Sequence, residues 1–257
     1  MSESNPTDAS PEPREIPAER PPHRLLLGVT LIVVAAAAGL VTGLLGESDA
    51  VKAKPELVWM VTMGNRHTAT TAMTVEAAGV TNVARVQAIL GLSLGLATGI
   101  VAALAFHNPR RLVHAAMTGL FTGATVGFGV AKLAVPLFYR YRTTFELDLL
   151  PSILLHGGLA ASIGLTTALA AAVGASYRRA KLLESLFTVS FAALLGGTLY
   201  VILGAAFFAN DDTGEPISLT AVTRILSPIL VALFIALGTS LTLIPTPKTT
   251  PKPAATA

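Results

Sequence analysis

The sequence predicts an all-α, polytopic helical membrane protein with six transmembrane helices. Six stretches of about 20 or more residues contain no Asp, Glu, Lys or Arg, and about 20 apolar residues carry a helix across the hydrocarbon core. Hydrophobic residues make up 52% of the chain, charged residues make up only 13%, and the mean hydropathy is +0.65, which excludes a water-soluble fold. The apolar stretches show no alternation of polar and apolar residues, so they do not predict a transmembrane barrel.

The six predicted spans form three helical hairpins, because longer loops alternate with two very short turns. Residues 1–24 and 247–257 are rich in Pro with Ser, Glu or Thr, and we expect them to be disordered tails. A cleaved signal peptide is the alternative for the first span, but its apolar run of 22 residues exceeds the usual signal core. Triplication of one hairpin is an open alternative for the origin of the bundle. The spans are predicted at about 25–46, 82–107, 112–135, 149–175, 182–209 and 224–244.

The distribution of charge predicts the orientation of the bundle. The short turns His107–Arg111 and Arg178–Lys181 contain bases and no acids, whereas the loops on the opposite side hold nine of the fifteen acids. Short basic loops stay on the cytoplasmic side. We therefore expect both termini to be cytoplasmic. The abundance of Ala and Gly indicates a bacterial source, and thus a bacterial inner membrane.

The first outer loop, residues 47–81, is the longest polar segment between spans. Its apolar part, 56–63, contains Trp59 and predicts a segment at the membrane interface. Residues 68–78 predict a short helix that ends at Gly79, and Thr81 is then the expected N-cap of the second span. We interpret this loop as a lid on the bundle, with partner docking or ligand gating as the alternative.

Two glycine faces carry the packing signal of the bundle. Spans 2 and 3 each contain a doubled G-x-x-x-G pattern, which lets two helix backbones approach closely in lipid. A five-residue turn joins these spans, so we expect the two faces to pack on each other. Self-association with a second copy or a partner, and a glycine-lined conduit, are the alternatives. The glycines are Gly91, Gly95 and Gly99 in span 2 and Gly119, Gly123 and Gly127 in span 3.

Ionisable residues near the spans are the candidate ligand or proton sites, because a charge inside the bilayer is costly. His156 lies about two turns inside span 4, and Lys132 ends span 3 at a similar height, close to Glu146 and Asp148. For His156 the alternative is a hydrogen bond to a neighbouring helix. For Lys132 the alternative is an ammonium group that reaches the headgroups.

Proline in the sixth span leaves two interpretations of its start. Pro228 either opens the helix behind Ser227 as N-cap, or kinks a longer helix that begins near Ser218. A helix broken at Pro228 would expose backbone groups of the kind that transporters use.

The motifs predict no enzyme, no cofactor and no metal site. The chain has no cysteine, no P-loop, no G-x-S-x-G, no H-E-x-x-H and no dinucleotide fingerprint. Its basic residues are explained by membrane orientation, so the lipid bilayer and not nucleic acid is the expected partner. Two functional hypotheses remain: a small secondary transporter or channel-like protein, and a structural or accessory subunit of a membrane complex.

Overall fold

The computed structural model describes residues 24–63, 65–142 and 149–243. All six helices in these ranges are long and apolar enough to cross a membrane, which confirms the predicted fold class. The predicted tails lie almost entirely outside the described residues. The helices are α1 (Arg24–Glu47), α2 (Ala72–Ala105), α3 (Pro109–Arg142), α4 (Leu150–Ala175), α5 (Arg179–Phe207) and α6 (Ala221–Leu243), and the strands are β1 (Val58–Thr62) and β2 (Asn65–Ala69).

The bundle has two different ends. At one end, which we name the short-turn end, only residues 106–108 and 176–178 connect helices. Pro109 begins α3, where its missing N–H is not needed by the helix. Asn108 Nδ2 donates to Ser176 Oγ at 3.0 Å and so joins the two turns. The opposite end, which we name the loop end, carries the longer segments 48–71 and 208–220.

Five of the helices form a closed ring in the order α1, α2, α4, α5, α6. Each ring helix contacts the next one, and α6 returns to contact α1. α3 lies outside this ring, because among the described elements it contacts only α2 and α4. The three predicted hairpin pairs are in contact, but the most extensive helix contact is between α2 and α3. The interior of the helix ring is therefore enclosed by five helices, and α3 packs against the outside of the ring as a buttress.

Glycine explains how closely α3 approaches α2. A Cβ atom on Gly95 would lie 2.5 Å from the carbonyl oxygen of Gly119, and one on Gly99 would lie 2.7 Å from that of Ala115. A Cβ on Gly91 would likewise collide with the Gly123 backbone. The two glycine faces thus meet backbone to backbone, which maximises van der Waals contact where lipid removes the hydrophobic drive.

The segment between α1 and α2 differs from the predicted short helix at 68–78, whereas the position of residues 56–63 at the membrane interface stays a prediction. Strands β1 and β2 form an antiparallel β-hairpin, in which Trp59 is paired with Thr68 and is 75% exposed. α2 then begins at Ala72, because Thr71 caps it in a reciprocal capping box with Thr74.

The predicted helix end at Gly79 and the predicted N-cap at Thr81 are therefore wrong. Gly79 lies inside α2, where a Cβ would lie 2.9 Å from the hydroxyl of Tyr139 on α3, so this glycine serves close packing and not helix termination. Thr81 is also helical, and its hydroxyl donates to the carbonyl of Ala77 at 3.0 Å.

Helix α6 passes through its proline without ending. It begins at Ala221, seven residues before Pro228, so Ser227 is not its N-cap. Thr220 supplies a cap instead, since its Oγ1 accepts from the N–H of Thr223 at 3.4 Å. On the neighbouring α1, a Cβ on Gly39 would lie 2.8 Å from the carbonyl oxygen of Pro228. Small residues thus also bring α1 and α6 into backbone contact.

Candidate ligand-binding cavity

A cavity of about 200 Å³ lies inside the helix ring at the loop end. All five ring helices contribute to its wall, and α3 contributes no lining residue. Leu90, Leu159 and Val231 give it an apolar wall. Charged and polar side chains also line it, namely Glu47, Lys52, Asn82, Gln87, His156, Tyr200, Ser218, Arg224 and Ser227. The cavity is therefore a partly polar space inside a bundle of apolar helices.

An ionic cluster of three side chains lines this cavity. Arg224 holds the Glu47 carboxylate with two bonds, Nε to Oε1 at 2.5 Å and Nη2 to Oε2 at 3.0 Å. Lys52 Nζ lies 2.9 Å from Glu47 Oε2. Glu47 is the last residue of α1, where the helix dipole disfavours a carboxylate, so the two cations supply the compensation. Two positive charges and one negative charge leave the cluster with a net charge of +1.

Arg224 also fixes the loop between α5 and α6. Its Nη1 donates to the carbonyl oxygens of Ser218 and Leu219 at 2.7 and 2.6 Å. One guanidinium thus joins the end of α1, the start of α6 and this loop. Such fork-shaped recognition is specific to arginine and would be lost with lysine.

His156, the candidate inside span 4, lines the cavity and holds the same loop. Its Nε2 lies 3.0 Å from the carbonyl oxygen of Glu215, and since a carbonyl can only accept, the ring donates from Nε2. The imidazole also packs on Tyr200, with ring centroids 5.2 Å apart, and the Tyr200 hydroxyl lies 2.9 Å from Ser218 Oγ. Helices α4, α5 and α6 therefore all bind the loop 208–220 over the cavity.

Gln87 is the one cavity-lining residue with an unsatisfied buried atom in the described part of the chain. Its Oε1 is buried and accepts no hydrogen bond. A buried amide oxygen without a donor costs free energy, of the order of 1–3 kcal/mol. Because this oxygen is inaccessible even to water, other atoms of the Gln87 side chain form its part of the cavity wall.

The other predicted site residues lie elsewhere. Lys132 does not line the cavity; its Nζ donates to Thr81 Oγ1 on α2 at 3.0 Å and lies 5.7 Å from the centre of the Phe128 ring. Glu146 and Asp148 lie outside the described residues. The six candidate glycines lie at the α2–α3 contact described above and not at the cavity.

The sequence identified Glu47, Lys52 and Arg224 only as charges near the loops, and it did not single out Gln87. The available signal was weak: Glu47 ends the first apolar run and Arg224 precedes the sixth, so the topology puts them at the same membrane face. Their direct pairing requires α1 and α6 to be neighbours, which the sequence does not reveal.

The described residues contain no group of three or more His, Asp or Glu side chains that could hold a metal ion. The fold and the cavity together indicate a multi-pass integral membrane protein whose helices surround a partly polar cavity. Comparison of the chain with protein-family models, with curated proteins and with solved structures gives no match in any of the three.

Proposed function

We propose that this protein is a small secondary transporter whose solute binds in the cavity of the five-helix ring. The observation that carries the proposal is that all five ring helices, and not the buttress α3, supply the cavity wall. A site shared by several helices can open toward one membrane face or the other when those helices move relative to each other. We infer a non-enzymatic role, in the bacterial inner membrane, with cytoplasmic termini and a cavity that faces outward.

Three features of the wall support binding and release in preference to a purely structural role. The first is the ionic cluster, which gives the cavity wall a net charge of +1. The second is Lys52, whose ammonium group makes one bond, to Glu47, in the described part of the chain. The third is Pro228, which has no N–H for the carbonyl of Arg224 four residues earlier and so leaves a local weakness in α6.

The apolar side chains around the cavity favour a carrier over an open channel. Leu90 and Leu94 of α2 are almost completely buried, and so is Ile235 of α6. These side chains fill the ring interior on the short-turn side of the cavity. A solute in the cavity would therefore pass only after the helices have rearranged.

An accessory subunit of a membrane complex is the second candidate, and the β-hairpin favours it. A two-stranded hairpin alone is marginally stable in water, and this one exposes Trp59 and also Met63, which is 99% exposed. Docking of the hairpin on another membrane protein would cover these side chains.

Cysteine accessibility separates the two candidates, because the chain has no cysteine of its own. Ser227→Cys places a thiol in the cavity wall, and a membrane-impermeant thiol reagent is added to right-side-out and to inverted vesicles. A transporter predicts labelling from both sides, since its cavity opens alternately toward each membrane face. Labelling from the loop end alone favours a static pocket, as in an accessory subunit, and no labelling from either side overturns the transporter proposal.

Three control variants make the result readable. Thr70→Cys lies in an exposed segment at the loop end and Arg110→Cys at the exposed short-turn end, so each should react from one side only. Leu237→Cys replaces a 46% exposed side chain on the apolar surface of α6, where the reagent should not react from either side. Reaction at Leu237→Cys would show that the vesicles are damaged or the bundle is unfolded.

A further inference from the structure

We propose that the cavity binds a small organic anion. This inference rests on the proposed function, in that the bound anion would be the transported solute. Two properties of the wall carry it: the sign of its charge and the free donors of Lys52.

The charge of the wall selects against cations. Arg224 and Lys52 contribute two positive charges and Glu47 one negative charge, and all three side chains line the cavity. The potential inside a small cavity with apolar walls is stronger than in water, because the effective dielectric constant is lower. A cationic solute would meet a net positive wall, whereas an anion would complete the neutralisation.

Lys52 provides the donors that an anion needs. Its ammonium group has three N–H donors, and in the described part of the chain one bond, to Glu47, is made. Its side chain is 36% exposed, so it can turn toward a solute without breaking a packed core. Arg224, in contrast, already donates four hydrogen bonds to Glu47, Ser218 and Leu219, and acts mainly as a fixed positive charge.

The rest of the wall limits the size of the solute. Oε1 of Gln87 is inaccessible even to water and does not face the solute. Beside the charged groups the wall is apolar, with Val86, Leu90 and Leu159. An engineered cavity of about 150 Å³ holds benzene, so this one is large enough for an acid of aromatic or similar size.

Three probes of matched size test the inference: 4-hydroxybenzoate, 4-hydroxybenzamide and 4-hydroxybenzylamine. Binding is measured by calorimetry with the whole protein in nanodiscs of phosphatidylcholine. We expect 4-hydroxybenzoate to bind tightest, and the neutral amide and the cationic amine to bind at least about tenfold more weakly than the acid. Equal affinities for the acid and the amine, or no acid binding at about 1 mM, would overturn the proposal.

One variant tests the role of Lys52. Lys52→Gln should weaken 4-hydroxybenzoate about tenfold or more and leave 4-hydroxybenzamide unchanged, because it removes a charge and keeps a polar side chain. Lys132→Gln is the matched control, since this lysine lies outside the cavity, and an equal effect there would show that general surface charge attracts the acids.

A lipid headgroup could supply the same anionic chemistry as a soluble solute. Nanodiscs with phosphatidylglycerol distinguish the two sources. If the anionic lipid competes with 4-hydroxybenzoate, the site belongs to a lipid headgroup and the solute proposal is wrong. Unchanged affinity supports a soluble anion.

The two experiments can reject the anion site and the transport function independently. Selective binding of the acid combined with one-sided labelling of Ser227→Cys would keep the anion site and reject transport. Two-sided labelling combined with binding that ignores charge would keep transport and reject the anion.

Discussion

The contact between α2 and α3 makes a quantitative prediction about a single methyl group. Gly95→Ala adds a Cβ 2.5 Å from the carbonyl oxygen of Gly119 and 2.8 Å from its carbonyl carbon and Cα, all backbone atoms that cannot rotate away. Ordinary contacts of a Cβ begin at 3.4 Å, so the helices must separate locally by about 0.9 Å. A gap of that size forfeits up to about half of the dispersion energy of each neighbouring contact.

The expected cost follows from two opposing effects. Overpacking of a filled core costs about 1–3 kcal/mol, and the collision with three backbone atoms places this site near the upper value. Replacing Gly by Ala in a helix returns about 1 kcal/mol through helix propensity. We therefore expect Gly95→Ala to lower the free energy of unfolding by about 2 kcal/mol.

Gly129→Ala is the matched control for this substitution. Gly129 lies in α3, and no atom lies within 4 Å of its added Cβ, which is also true of Gly158 in α4. At these two positions the helix-propensity gain stands alone, so we expect stability to stay unchanged or to rise by up to about 1 kcal/mol.

Reversible unfolding in mixed micelles, followed by circular dichroism, measures all three variants on the same scale. Equal changes in the free energy of unfolding for Gly95→Ala and Gly129→Ala would contradict the close contact between α2 and α3. It would then follow that the two glycine faces do not meet in the membrane.

Three further predictions concern the topology, the ionic cluster and the start of α2. Reporter fusions after Asn108 should report the cytoplasm and fusions after Thr70 the opposite face, and a reversed result would contradict the predicted orientation. In a double-mutant cycle with Glu47→Gln and Arg224→Gln, we expect a coupling energy of about 1–2 kcal/mol. The pair is bidentate, but its side chains remain 20% and 26% exposed. A coupling energy near zero would show that the pair does not stabilise the bundle. Thr71→Ala should cost about 1 kcal/mol and accelerate hydrogen exchange in the first turn of α2, and unchanged exchange there would refute the capping role.

The sequence was sufficient for the six spans because lipid imposes one strict requirement on them. Every backbone polar group must be satisfied inside the membrane, so long runs without charge allow only helices. The close packing signal of Gly95 and Gly119 was equally visible, since glycine at every fourth position marks one helix face without side chains.

The order of the helices around the ring could not be read in the same way. Side chains that face lipid and side chains that face other helices are equally apolar, so the hydrophobic pattern does not reveal which helices are neighbours. The pairing of Glu47 with Arg224, which are far apart in sequence, depends on that order. His156 could be selected because a lone histidine in an apolar span is conspicuous, but Gln87 near the start of a predicted span was not.

The start of α2 shows a second kind of failure. Thr71 and Thr81 are both plausible caps, and local sequence does not decide between them. The reciprocal bonds of Thr71 with Thr74, together with the packing of Tyr139 against Gly79, favour the longer helix. Tertiary contacts thus determine a boundary that local propensity leaves open.

The pairing of α1 with α6 has a consequence for biosynthesis. Residues 48–220 separate the end of α1 from the start of α6, and at about 5–20 residues per second a ribosome needs roughly 10–35 s to synthesise them. During this time Gly39 lacks the backbone of Pro228 and Ile229 against which it packs in the finished molecule. Helix α1 therefore remains in the bilayer without this contact until α6 is synthesised. In a chain truncated before α6, the glycine face of α1 would stay uncovered and accessible to quality-control proteases of the membrane.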